Sequence, residues 1–153
     1  MSDDPQNGEL ASLYNELIKD HGSHPRNCRL MADATAKAAG YNQTCGDSLV
    51  LYLKVGDGII QDVSFLGKGC QVFTASASLM TDRLKGKTVA EAEAIFKEFH
   101  ELLTTDVPVT AELGKLAALA PWRTIPVRVK CATLAWHTLK SALENKEEPV
   151  TTE

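Results

Sequence analysis

Apolar residues recur first at helical spacing, then at alternate positions, then at helical spacing again. This succession predicts a helical start, a hairpin and a helical second half. Leu10, Leu13, Tyr14, Leu17 and Ile18 mark one face of an amphipathic helix that ends near Asp20-His21-Gly22, with the glycine as C-cap. The alanine-rich stretch from Leu30 to Gly40 leans helical by propensity, and Tyr41 to Asp47 follows as a turn-forming loop. Leu49, Leu51, Leu53 and Val55 then alternate with Ser48, Val50, Tyr52 and Lys54, the period of a strand with one buried face. Gly56-Asp57-Gly58 supplies a hairpin turn, and Ile59 to Leu66 returns as the partner strand.

Past Gly67-Lys68-Gly69, where glycine tolerates unusual backbone angles, a helix runs from Cys70 through Leu84 with Phe73, Ala77, Met80 and Leu84 on one face. Gly86 ends it. Thr88-Val89-Ala90-Glu91 reads as a capping box for a helix burying Val89, Ala92, Ile95, Phe96, Phe99 and Leu103. A shorter helical piece, Ala111 to Ala120, leads to Pro121-Trp122-Arg123. The last helix starts at Pro126, where a missing N–H costs nothing, and runs to about Glu144. A hairpin covered by helices is an α+β arrangement, expected as one domain over residues 1–153 with flexible tails at 1–8 and 146–153.

Composition narrows the function. The 153 residues carry a formal charge of -4, and no basic block stands ready to meet phosphates, which argues against a nucleic-acid partner. No uninterrupted apolar segment approaches the length of a bilayer crossing, and the polar, acidic start from Met1 to Gly8 is no signal peptide. The expected compartment is the cytoplasm. There, Cys28, Cys45, Cys70 and Cys131 read as metal ligands or reactive thiols rather than disulfides, and no two of them form a CxxC pair.

A site would therefore be assembled from distant segments. A hairpin brings its open ends together, so Cys45 and Asp47 before the first strand approach Cys70 after the second. Cys70 also opens a helix, where the dipole and unpaired N–H groups favour thiolate. Cys131 shares an inward face with Leu134, Ala135 and Thr138, which suits a core cysteine, but Arg128 and Lys130 within one turn would favour a thiolate. Cys28 has no nearby second ligand and reads as a bystander, and His21 and His24 read as solvated loop histidines. Ser76 and Ser78 lack a GxSxG setting, so they read as small residues that permit close packing or bond back to the preceding turn.

Asn42-x-x-Cys45-Gly46-Asp47, Gly67-x-Gly69-Cys70 with Ala75-Ser76-Ala77-Ser78, and Lys130-Cys131-Ala132-Thr133-Leu134-Ala135-Trp136 together resemble, in order, the three signatures of the NifU/IscU-type iron-sulfur assembly family. Leu13-Tyr14, Asp20-His21 and His24-Pro25-Arg26-Asn27 resemble its amino-terminal helix and loop, so the likeness extends from about Leu10 to Leu143. Within the family the chain resembles the SufU branch: Lys130 stands where the IscU branch has histidine, and the segment from about Asp106 to Thr124 fits that branch's insertion. The alanine-rich Leu30 to Ala39 departs from the family, which usually has a strand with β-branched residues there.

The resemblance implies a SufE/NifU/IscU-like α+β fold, with a small antiparallel sheet of about three strands, including hairpin 48–66, packed on one side by helices. It implies that Cys45, Asp47, Cys70 and Cys131 hold zinc and that Cys45 accepts sulfur from the persulfide of a SufS-type cysteine desulfurase, for delivery to downstream iron-sulfur assembly proteins. Three thiolates and a carboxylate around Zn²⁺ make a closed site of formal charge about -2, so one ligand must leave for chemistry to occur. By resemblance a desulfurase histidine displaces Cys45, whose loop is flanked by Gly46. A scaffold for an iron-sulfur cluster (2Fe-2S) would use the same ligands, and a purely structural zinc domain is the third reading.

Overall fold

The alternation at residues 48–66 builds the central hairpin. The computed structural model describes residues 5–146 and 148–152. In it, β2 (Asp47–Gly56) and β3 (Ile59–Lys68) pair antiparallel. Asp57 and Gly58 between them both have positive φ, 55° and 75°, which the twist of a two-residue hairpin requires. Leu49, Leu51 and Leu53 face inward and are paired with Gly67, Phe65 and Val63.

Residues 30–40 do not form the expected helix. They lead into β1 (Ala36–Asn42), antiparallel to β2, in which Ala38, Gly40 and Asn42 face the core. Small side chains are needed because α4 (Pro126–Leu143) crosses close above: a Cβ on Gly40 would collide with Thr138 Oγ1 and lie 3.2 Å from Leu134 Cδ1. Clearance from α4 thus requires glycine at position 40, and the stretch is a strand in spite of its helix propensity.

The sheet is α+β in class but larger than expected and mixed. Among the described residues it has the order β3-β2-β1-β4, with β4 (Val150–Thr151) parallel to β1. Part of the tail expected to be flexible is thus a strand, and at the other end residues 5–8 belong to α1 (Pro5–Ser23), while residues 1–4 lie outside the described residues. Helix α1 does not stop at Gly22, whose missing Cβ instead makes room for Gln71: an added Cβ would lie 3.2 Å from its backbone oxygen and collide with its side chain.

Helix α2 (Gln71–Leu84) buries Phe73, Ala77, Met80 and Leu84 as its spacing predicts, and Gly86 follows its end with φ of 86°. The capping box forms at α3 (Val89–Thr104): Glu91 N–H donates to Thr88 Oγ1 and Thr88 N–H to Glu91 Oε1, both at 3.0 Å. Ala92, Phe99, Leu102 and Leu103 are buried, whereas Val89, Ile95 and Phe96 are only partly covered. The piece expected at 111–120 is a 3₁₀ segment (Ala111–Thr124) broken at Gly114. It seats Leu113, Leu116 and Leu119 in the core. No helix among the described residues is long and apolar enough to cross a membrane.

Ser76 and Ser78 do not bond back along their own helix through their hydroxyls. Ser76 Oγ donates to Ala132 O at 2.5 Å and accepts from Trp136 Nε1 at 3.1 Å, tying α2 to α4. Ser78 Oγ lies 2.6 Å from His21 Nδ1 and accepts the Arg26 N–H at 2.8 Å. His21 is therefore not a solvated loop residue: it ends α1 against α2, is 2% exposed, and is held below the usual imidazole range by burial first and by the Arg26 charge next.

Candidate metal and sulfur site

Three chain segments carry sulfur to one end of the sheet. The first is the turn between β1 and β2, closed by the Asn42–Asp47 pair and by Gly46 N–H donating to Gln43 O. Gly46 takes φ of 71° there, with nothing within 4 Å of where a Cβ would stand. Cys45 rides on this turn and is partly exposed. The second segment is the β3–α2 junction, which places Cys70 at the N-cap of α2, and the third is the start of α4, which buries Cys131.

Ligand atoms of Cys45, Asp47 and Cys131 all lie within 4.8 Å of one another. Cys70 lies outside that group of three but adjoins it, its N–H donating to Asp47 Oδ1 at 2.9 Å. Cys45 and Asp47 thus meet Cys131 of α4, and Cys70 comes to Asp47 through its backbone amide. Cys28 does not. It is exposed on the far edge of β3, bridged through its backbone to Phe65.

Gly69 is required for this approach, though not for backbone freedom, since neither it nor Gly67 has a positive φ. A Cβ on Gly69 would collide with Asp47 Oδ1 and lie 2.8 Å from Phe73 Cδ2. The bare backbone lets the carboxylate reach the Cys70 amide. The Cys70 sulfur, in turn, accepts the Phe73 N–H at 3.5 Å and caps α2 as a serine hydroxyl would.

These contacts split the thiols. The neighbouring Cys131 side chain lowers the Cys70 pKa to about 6, with help from the Phe73 N–H and the Arg128 charge against burial and the Asp47 carboxylate. Cys131 is raised well above the thiol range by Cys70 first, then by burial and by Cys45 and Asp47. Arg128 reaches the cluster and is itself raised, first by Cys131 and next by the Cys70 charge. Lys130 differs from its expected role: it is exposed and lines a groove with Thr133 and His137 on the outer flank of α4.

The donor set suits a soft or borderline cation, since two thiols and one carboxylate lie within 4.8 Å of one another and the Cys70 backbone meets that carboxylate. Asp47 Oδ2 supports this, being buried without a hydrogen-bond partner although its twin oxygen is engaged. One neighbouring residue has no assigned role in the sequence reading. Asn42, fully buried opposite Asp47, falls in the stretch Tyr41 to Asp47 expected as a loop, whereas the strand through Ala38, Gly40 and Asn42 places it on the inner face.

A family model described as the NifU-like N terminal domain matches residues 13–151. The chain is 36% identical over 137 residues to the iron-sulfur cluster assembly scaffold protein IscU of Thermotoga maritima, covering 90% of this chain and 96% of that one. It is 35% identical over 142 residues to the zinc-dependent sulfurtransferase SufU of Bacillus subtilis, covering 92% and 96%. Among solved structures, it matches an iron-sulfur cluster assembly scaffold protein for the SUF system from Fervidobacterium islandicum AW-1 with TM-score 0.79 and 30% identity, over 86% of this chain and 97% of that chain.

Proposed function

This chain belongs to the NifU-like N-terminal domain family, and on that premise we propose that it is a zinc-dependent sulfur-transfer protein of SUF-type iron-sulfur cluster assembly. Its sulfur source in this reading is a SufS-type cysteine desulfurase, and its metal ligands are Cys45, Asp47, Cys70 and Cys131. Zinc, when bound, keeps the liganding thiols deprotonated.

The observation that carries the reading is the unequal hold on the cysteines. Cys131 is buried in α4, and Cys70 is tied to the Phe73 N–H through its sulfur and to Asp47 through its own amide. Cys45 sits on a two-strand turn whose next residue, Gly46, has open space around it. Cys45 is therefore the sulfur that can swing out to a partner while the other groups stay in place. Its thiolate attacks the outer sulfur of the desulfurase persulfide; a new sulfur–sulfur bond forms on Cys45, the old one breaks, and the desulfurase cysteine departs as thiolate. Arg128 beside the cluster supplies positive charge for that anionic exchange.

The test incubates the protein with its desulfurase and cysteine, traps persulfides by alkylation, and reads the modified cysteine by mass spectrometry. Extra sulfur on Cys45 is the expected result, and labelling of Cys28 in its place overturns the assignment. A second reading, a scaffold for a 2Fe-2S cluster, draws on the IscU-named relatives, which align over most of the chain. Metal analysis before and after anaerobic iron and sulfide separates the two: retained zinc supports transfer, and a cluster bound in its place supports the scaffold.

A further inference from the structure

Asn42 is fully buried, yet neither the Oδ1 nor the Nδ2 of its carboxamide has a hydrogen-bond partner. An amide removed from water without partners is unfavourable, and an apolar residue of similar size would carry no such penalty. The sheet register fixes what stands across from it. Asn42 on β1 is opposite Asp47 on β2, so the two side chains share one face at the end of the sheet.

Asp47 has one oxygen engaged with the Cys70 amide, while Oδ2 is also buried and unpartnered. An unpartnered donor and an unpartnered acceptor thus sit on residues paired across the two strands, the acceptor's residue beside the thiols of Cys45 and Cys131. A carboxamide brings two N–H donors and no charge, which suits a buried place next to an acceptor-rich cluster better than lysine or arginine. Carboxylates that bind metals are themselves held by hydrogen bonds, and a carboxylate oxygen has a lone pair to spare for such a bond.

We propose that Asn42 is a positioning residue for Asp47, its Nδ2–H donating to the Asp47 carboxylate when that carboxylate binds the ion, which fixes the carboxylate's orientation and spreads its charge. The inference rests on the zinc reading above and adds a residue to it. Cys45, Asp47, Cys70 and Cys131 touch the ion, and Asn42 acts on it through Asp47.

The experiment compares the full-length protein with Asn42→Leu and Asn42→Ala, using zinc and cobalt(II) alone as probes. Zinc affinity by chelator competition is expected to fall about 10- to 100-fold in both variants, the range typical for loss of a ligand's hydrogen-bond partner. The cobalt absorption bands shift, while the metal-free Tm of Asn42→Leu stays at or above that of the wild type because an unpartnered amide has gone. Zinc affinity within twofold of wild type in either folded variant, with unshifted cobalt bands, overturns the proposal. Failure of both variants to fold also overturns it, since Asn42 would then serve the metal-free fold. A wild-type chain that takes up no zinc instead overturns the zinc reading beneath it.

Discussion

The three clustered cysteines do different work because each is held by different atoms. Cys70 is a helix cap as well as a ligand candidate, so Cys70→Ala should cost the metal-free protein about 1 kcal/mol, whereas Cys70→Ser keeps an acceptor for Phe73 N–H; urea denaturation in chelator measures the difference. Cys45→Ala should unfold at nearly the wild-type denaturant midpoint yet fail to take up desulfurase sulfur, and a large midpoint loss would favour the structural zinc reading. The opposed shifts of Cys70 and Cys131 give a pH dependence whose sign is fixed. Cys70, depressed to about 6, contributes stability that is full above the ordinary thiol value of about 8.5 and is lost as pH falls through about 6. Cys131, raised, contributes stability below the ordinary thiol value that is lost as pH rises above it. The metal-free wild type should therefore gain stability over Cys131→Ala from about pH 6 upward and lose that gain above about pH 8.5 to 9. Reduced-protein thermal melts across that range test it, and a difference that does not vary with pH would show that the two thiols are uncoupled.

At the scale of elements, the site depends on strands and helices approaching closer than side chains normally permit. Gly40→Ala forces a methyl into Thr138 and Leu134 of α4 and should cost about 1–3 kcal/mol, the range for overpacking a filled core. Gly69→Ala is expected to act more locally, pushing the Asp47 carboxylate off the Cys70 amide. Its signature is weakened zinc binding with most of the fold retained, visible as a lowered metal affinity beside an unchanged far-ultraviolet circular dichroism spectrum. These positions also explain where pattern reading succeeded and where it did not. The hairpin, α2, the capping box and the proline start of α4 follow from local periodicity and local chemistry. Residues 36–42 misled because alanine and glycine favour different states in isolation and against a crossing helix, and the helix above them is nearly a hundred residues away in sequence.

Considered whole, the β1–β2 turn, the start of α2 and the start of α4, three segments spread over most of the chain, meet around Asp47. A ligand that binds only the folded form stabilises it by mass action, so zinc at a free concentration of 100 times Kd should add about 2.7 kcal/mol and raise Tm, with reversal by chelator. Calorimetry with and without zinc checks this, and a Tm indifferent to zinc would mean the three segments are not joined through the ion. By itself the sequence determined the elements set by nearest neighbours, the approach of Cys70 to Asp47 across one hairpin, and, through its motifs, the family. Only the tertiary structure decided that residues 36–42 are a strand, that β4 closes the sheet, that Arg128 and not Lys130 faces the thiols, that His21 is buried, and that Asn42 stands unpartnered against Asp47. The physical reason is range: periodicity and capping act over a few residues, whereas clearance, burial and the charges around a thiol are settled by segments that meet only after the chain has folded.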